Sequence, residues 1–245
     1  MKKTEWFSNW FDSPYYHILY NNRDEEEASI FLSNLLNYLK PVKGSFMLDL
    51  ACGSGRHTNF LAKQDYNVLG LDLSLNSIIT AKQKQQKNTR FFTADMRHKI
   101  DFIKFDYVFN LFTSFGYFEK DEENYQVIDA VKNCLNSEGV YVIDFFNSTK
   151  VIKNLIKNEI KTIDNIIFNI ERSIKNNFVV KNISFTDKLQ IYNFVEKVRL
   201  FNQKDFETML TKAGFQITSI FGNYELEVYD QQNSDRLIIM AKLNT

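Results

Sequence analysis

Apolar positions between residues 24 and 39 recur at helical spacing. Ala28, Phe31, Leu32, Leu35, Leu36 and Leu39 fall on one face. Asp24 is placed as the N-cap with Glu27 as its capping-box partner, and Pro41 and Gly44 end the helix. Short apolar strands then alternate with helices. Phe46–Leu50, Asn67–Leu71, Arg90–Thr93 and Phe105–Phe112 read as strands, with helices at 55–64 and 74–86 between the first three. An acid-capped helix follows, with Val127, Ile128, Val131 and Leu135 on one face, and Gly139 turns the chain into a fifth strand at Val140–Phe146. Strands that are apolar throughout, separated by helices, predict a parallel sheet covered on both faces.

After Asn147 the period changes to two. Ile166, Phe168 and Ile170 alternate with polar neighbours, as do Ile183 with Phe185 and Tyr192 with Phe194. Turns are expected at Lys175-Asn176-Asn177 and Thr186-Asp187-Lys188, which makes three antiparallel strands inserted after strand 5. The helical period resumes at Phe206, Met209, Leu210 and Ala213, with Gly214 at C′. Phe215–Phe221 and Arg236–Leu243 end the chain as two strands. The expected fold is α/β, doubly wound, with a seven-stranded, mostly parallel sheet. Its parts are an N-terminal helical lid (1–43), a core (44–150 and 200–245) and an inserted antiparallel β cap (151–199).

Composition narrows the class. Apolar residues make up 44% and aromatics 15% of the 245 residues, which excludes a disordered or fibrous chain. Thirty basic and thirty acidic residues cancel, whereas nucleic-acid binders usually carry a basic excess. The two cysteines, Cys52 and Cys134, make neither a disulfide framework nor a zinc set, and the three histidines are not at ligand spacing, so no metal is expected. Without a signal-peptide core or an 18-residue apolar run, the expectation is a cytoplasmic protein with no membrane partner.

The chemistry concentrates at Leu48-Asp49-Leu50-Ala51-Cys52-Gly53-Ser54-Gly55-Arg56-His57. A buried strand ends in a turn of small residues and a helix opens at once. Gly53 and Gly55 let backbone N–H groups meet a ligand, at the first strand-helix turn where open parallel sheets bind theirs. Asp72, at the end of the second strand, can accept both hydroxyls of a ribose. A dinucleotide fingerprint would need a third glycine where Thr58 stands, and a phosphate loop would need a Lys where Arg56 stands.

These residues resemble motif I of the class I S-adenosylmethionine-dependent methyltransferases, acid-x-x-x-Gly-x-Gly, within a Rossmann-like fold. The likeness covers residues 24–147 and 200–243, and the small-molecule branch is the nearest. It implies S-adenosyl-L-methionine as cofactor, S-adenosyl-L-homocysteine as product, and these cofactor contacts: Asp49, Ala51, Cys52, Gly53, Ser54, Gly55 and Arg56 at the loop, Asp72 and Leu73 at the ribose, Asp95 and Met96 at the adenine, Asn110 and Leu111 along the methionine. In the family the motif I acid holds the glycine loop and reaches the methionine amino group.

Methyl transfer needs alignment more than a protein nucleophile. His17 and Tyr117 are the candidate bases, with Asp12 a further one, and Tyr16, Phe112, Phe115, Tyr117 and Phe146 the candidate walls of an apolar acceptor pocket. The string Asn110-Leu111-Phe112-Thr113 departs from the Asp/Asn-Pro-Pro-Tyr common in nucleobase amino-methylating enzymes. That argues against DNA and RNA and for a small-molecule acceptor, taken at an O, N or C atom. An RNA or protein methyltransferase of the same fold stays open, as does a module that binds the cofactor without catalysis. The inserted strands are placed either to roof the acceptor side or to join two copies as a homodimer.

Overall fold

The structure is a computed structural model that describes residues 5–20, 25–101 and 103–244. Two short helices, α1 (Trp6–Phe11) and α2 (Pro14–Leu19), precede α3 (Glu25–Leu39). The core then runs β1 (Phe46–Leu50), α4 (Arg56–Lys63), β2 (Asn67–Asp72), α5 (Leu75–Gln83), β3 (Thr89–Thr93), β4 (Phe105–Asn110), α6 (Asp121–Cys134) and β5 (Leu135–Phe146). A short α7 (Ser148–Lys153) leads into β6 (Asn158–Ile163), β7 (Ile166–Lys175), β8 (Phe178–Asp187) and β9 (Gln190–Arg199). The chain returns through α8 (Gln203–Ala213) to β10 (Phe215–Phe221) and β11 (Arg236–Leu243).

The main sheet has seven strands in the order β10-β11-β5-β4-β1-β2-β3. Only β11 runs against its neighbours, pairing antiparallel with both β5 and β10. The order reverses at β1, which lies between β2 and β4. That is the switch point at which an open α/β sheet holds its ligand. The candidate N-cap Asp24 lies outside the described residues. The predicted face of α3 packs on α4 and the sheet through Phe31, Leu32 and Leu35.

Two expectations need correction. The cap has four strands, not three. β6 is an edge strand whose one large apolar side chain near its middle, Ile160, is 71% exposed, so burial imposes no alternation on it. Its turn to β7 is Asp164-Asn165, with positive φ at both residues, the two-residue geometry that also joins β7 to β8 at Asn176-Asn177 and β8 to β9 at Lys188-Leu189. Gly139, for its part, is not a left-handed turn. β5 runs unbroken through it from Leu135, with an irregularity in its pairing with β4.

The cap meets the core directly only at the end of β9, where Arg199 N–H donates to Gly116 O at 2.8 Å and Val198 packs on the core cluster. Elsewhere α1 and α2 lie between them. Phe7 joins the core cluster, while Trp10 and Leu19 join the cap residues Ile166, Phe168, Ile170, Ile183 and Phe185. The indole of Trp10 is fully buried and donates to Glu196 Oε1 at 2.6 Å. The Tyr20 hydroxyl donates to the same oxygen at 2.6 Å and receives a hydrogen bond from Lys181. Lys181 is itself 3.4 Å from Glu196, and burial holds its ammonium below the ordinary lysine range. Among the described residues, no helix is long and apolar enough to cross a membrane.

Trp10→Ala should cost about 3–5 kcal/mol, because it empties a large core site and removes a donor from Glu196. Urea unfolding at unchanged slope checks this. A loss under about 1 kcal/mol would mean that the lid helices are not anchored through Trp10.

Candidate functional site

The turn after β1 alternates backbone hand. Ala51, Gly53 and Gly55 have φ of 62°, 54° and 80°, with Cys52 and Ser54 between them. The turn is closed by its own backbone: Cys52 N–H donates to Leu71 O at 2.9 Å and Gly55 N–H to Cys52 O at 3.0 Å. Gly55 is the N-cap of α4. Apart from its φ, an added Cβ there would lie 2.7 Å from the Phe91 ring, so both conformation and space demand glycine. Asp72 ties this turn to β2. One of its oxygens accepts from Gly53 N–H at 2.7 Å and the other from Ser74 N–H at 2.8 Å. Burial raises its carboxyl above the usual range, against the pull of those two amides.

Asp49 lies under the turn. It is 1% exposed, and Thr58 Oγ donates to its Oδ2 at 2.7 Å. Burial is the main cause that pushes its pKa up to about 6, helped by the charge of Asp72 and opposed by Thr58 and Arg56. Cys52 is buried as well. Its thiol is held well above the ordinary value, first by burial and then by Asp49 and Asp72, which leaves it a small packed residue and not a nucleophile.

Beyond the strand ends lies a cavity of about 710 Å³. Its lining includes Ala51, Cys52, Gly53, Ser54, Arg56, Asp72, Leu73, Asp95 and Met96, together with Phe11, Tyr16, His17, Tyr20, Leu111, Phe112 and Tyr117. Phe11 stands 5.0 Å from Tyr16 and 5.1 Å from Tyr117, ring to ring. Phe112 stacks on His57 at 4.8 Å, with the Arg56 guanidinium 5.0 Å above its ring.

A family profile described as "Methyltransferase domain" matches residues 47–139. A putative methyltransferase of Bacillus subtilis, YqeM, is 26% identical over 212 residues, covering 82% of this chain and 85% of that protein. The dTDP-3-amino-3,4,6-trideoxy-alpha-D-glucopyranose N,N-dimethyltransferase of Streptomyces venezuelae is 24% identical, covering 84% of this chain and 91% of the enzyme. The crystal structure of an S-adenosylmethionine-dependent methyltransferase from Clostridium acetobutylicum superposes with a TM-score of 0.81 at 22% identity, over 97% of this chain and 99% of that one. The chain is a class I S-adenosylmethionine-dependent methyltransferase.

Six residues placed in the methyltransferase site from sequence do not line its cavity. Asp49 and Gly55 lie behind the turn, where they shape it. Asn110 lies under the loop after β4, its amide donating to Leu50 O at 3.1 Å and Ser114 O at 3.2 Å. Phe115 is core, packed against Phe201 and Phe206, because the loop turns inward there. Phe146, the last residue of β5, packs on Phe145 at 4.3 Å and against the core. Asp12 is spent on α5: its carboxylate accepts from Ser74 Oγ at 2.7 Å and from Asn76 N–H at 2.9 Å.

The methyltransferase also relies on a residue that its motifs do not reveal. Arg97 grips both oxygens of Asp95 through Nε at 3.0 Å, both oxygens of Glu5 at 2.8 and 2.7 Å, and Glu123 at 2.6 Å. Glu5 is the N-cap residue of α1 and Glu123 lies in the first turn of α6, so one guanidinium joins lid, sheet and helix. Burial alone would raise the Asp95 carboxyl, but Arg97 outweighs it and holds that carboxyl below the usual range. No spacing rule links residues 5, 95, 97 and 123, and a lone Arg two residues after an Asp carries little signal.

Asp49 sets a pH dependence. Its folded pKa lies above that of the unfolded chain, so the native state binds the proton more tightly. This contribution to stability is present below about pH 4 and is lost as pH rises through about 6. Between pH 7 and pH 4 the wild type should therefore gain about 2–3 kcal/mol relative to Asp49→Asn. Denaturant titrations of both proteins at the two pH values test this, and parallel pH profiles would show that Asp49 does not titrate in that window.

Proposed function

We propose that the chain transfers the methyl group of S-adenosylmethionine in line to an O, N or C atom of a small-molecule acceptor, with both molecules held in the 710 Å³ cavity. The observation that carries this reading is the continuity of that cavity, from the glycine turn and Asp72 to a wall of aromatic rings under the lid helices. A cofactor-binding module without catalysis would have no use for the aromatic wall. Residues 1–43 then serve as lid, 44–150 and 200–245 as the cofactor-binding core, and 151–199 as a cap that supports the lid from outside.

The residues fit the cofactor. Asp72 already orients one lone pair of each oxygen at a backbone amide, which leaves the others for the two ribose hydroxyls. Gly53 and Ser54 offer backbone at the turn. Ala51, Cys52, Leu73, Met96 and Leu111 supply contact surface. Asp95, aligned by Arg97, accepts from an exocyclic amine. Arg56 reaches the carboxylate end. The bound cofactor supplies an electrophilic methyl on a sulfonium.

The chain's own part is alignment and exclusion of water, worth about 7–11 kcal/mol in favourable systems. Tyr16, Phe112 and Tyr117 form the acceptor wall. The Tyr117 hydroxyl donates to Thr113 O at 2.7 Å, which ties its ring to the loop after β4. For an acceptor that must lose a proton this reading assigns His17 as the base; one of its ring nitrogens is 3.5 Å from Ser77 Oγ. A nitrogen acceptor has added support, since the Streptomyces venezuelae relative is named for an amino sugar.

Asp72→Ala should weaken S-adenosylmethionine binding by about 1.5–3 kcal/mol, the cost of lost charge-assisted hydrogen bonds. Calorimetry reads this directly, and an unchanged affinity would remove the ribose assignment. S-adenosylmethionine and S-adenosylhomocysteine should each raise the melting temperature, while NAD and ATP should not. Labelled methyl groups offered to a size-fractionated cell extract should appear in the metabolite fraction. Label confined to RNA or protein would overturn the small-molecule acceptor.

A further inference from the structure

The loop after β4 carries an unusual backbone. Phe112 and Thr113 are consecutive non-glycine residues in the left-handed region, with φ of 54° and 62°. Such residues each cost free energy and persist only where their surroundings enforce the conformation. What enforces it lies on β5 and β11. Asp144 is fully buried, one residue past Ile143, the partner of the last residue of β4. Its Oδ2 accepts from Phe112 N–H at 2.7 Å, and its carbonyl oxygen accepts from Thr113 N–H at 2.9 Å. Arg236, at the start of β11, donates from Nε to Asp144 Oδ1 at 2.7 Å and from a terminal nitrogen to Thr113 Oγ at 3.0 Å. Tyr224, on the segment between β10 and β11, donates to Asp144 Oδ2 at 3.4 Å and packs 5.3 Å from the Phe112 ring.

A buried ion pair is a poor source of stability, since well-packed apolar residues usually do as well. Here it holds a strained loop whose residues Leu111, Phe112, Ser114 and Tyr117 line the cavity. We propose that Asp144 and Arg236 are positioning residues for methyl transfer. Together they lock Phe112 and Thr113 in the left-handed region, and so set the Phe112 ring and the Tyr117 hydroxyl at the acceptor wall. The functional consequence rests on the reading that this cavity holds cofactor and acceptor. The locking itself does not.

Arg236→Lys is the informative variant. It keeps a charge opposite Asp144, but a lysine lacks the fork that spans Asp144 and Thr113 together. Hydrogen exchange of the full chain should show the Phe112 and Thr113 amides exchanging about tenfold faster, with β1 and β2 still protected. S-adenosylmethionine affinity should stay within about threefold, while labelled-methyl transfer to the metabolite fraction of a cell extract slows by about tenfold. Adding Thr113→Gly, which adopts positive φ without strain, should restore both the protection and the transfer. A residue that merely stabilises the fold would not be rescued in this way. Should Arg236→Lys fail to fold, Asp144→Asn is read by the same criteria. Unchanged exchange at residues 112–113, exchange that rises throughout the sheet, or no rescue by Thr113→Gly would each overturn the proposal. A wild-type protein that labels no metabolite would instead count against the small-molecule reading, with the exchange comparison still deciding the lock.

Discussion

The hydrogen bond from Gly53 N–H to the Asp72 carboxylate is the contact on which the site depends. It joins the turn after β1 to the end of β2, so the two strands on one side of the switch point present a single surface. The turn cannot be made from ordinary residues in ordinary conformations. Three of its positions have positive φ, and one of these lies against the Phe91 ring. Asp49 and Thr58 hold it from beneath. The cost is a buried carboxylate with a raised pKa, and the gain is a turn whose shape is fixed before any ligand arrives.

Polar contacts tie the lid to this frame at several points. Arg97 binds Glu5 and Asp95 together, Asp12 caps the start of α5, and Trp6 donates to Tyr117 O at 3.4 Å. On the outer side Trp10 and Tyr20 are held by Glu196 of β9. The inserted sheet thus meets the lid helices on one side, and the end of β9 meets the loop after β4, where Arg199 N–H donates to Gly116 O at 2.8 Å. Phe168 and Phe185 pack in the lid cluster, and the cavity wall contains no residue of β6–β9. The loop after β4 has a comparable backing on the other side, where Asp144, Arg236 and Tyr224 surround it.

Much of this was legible in the chain. The inner core strands were visible as largely apolar runs, because a strand buried on both faces leaves little place for polar residues. The glycine turn and Asp72 were visible because a backbone with positive φ and a carboxylate that accepts from that turn restrict residue type at fixed spacing. β6 was hidden because an exposed edge strand imposes no alternation, and Phe115 and Phe146 were misplaced because an aromatic beside a site looks the same whether it faces ligand or core.

The sequence by itself determined the strand and helix order, the seven-stranded core, the cofactor turn and the family. These depend on local periodicity and on short motifs, which one dimension records. Only the tertiary structure decided which side chains meet. Arg97 with Glu5, Asp144 with Arg236, and Trp10 with Glu196 are separated by 92, 92 and 186 residues. Pairing at such distances leaves no periodic trace in one chain. It arises when the sheet brings its strand ends together and buried charges must find partners there.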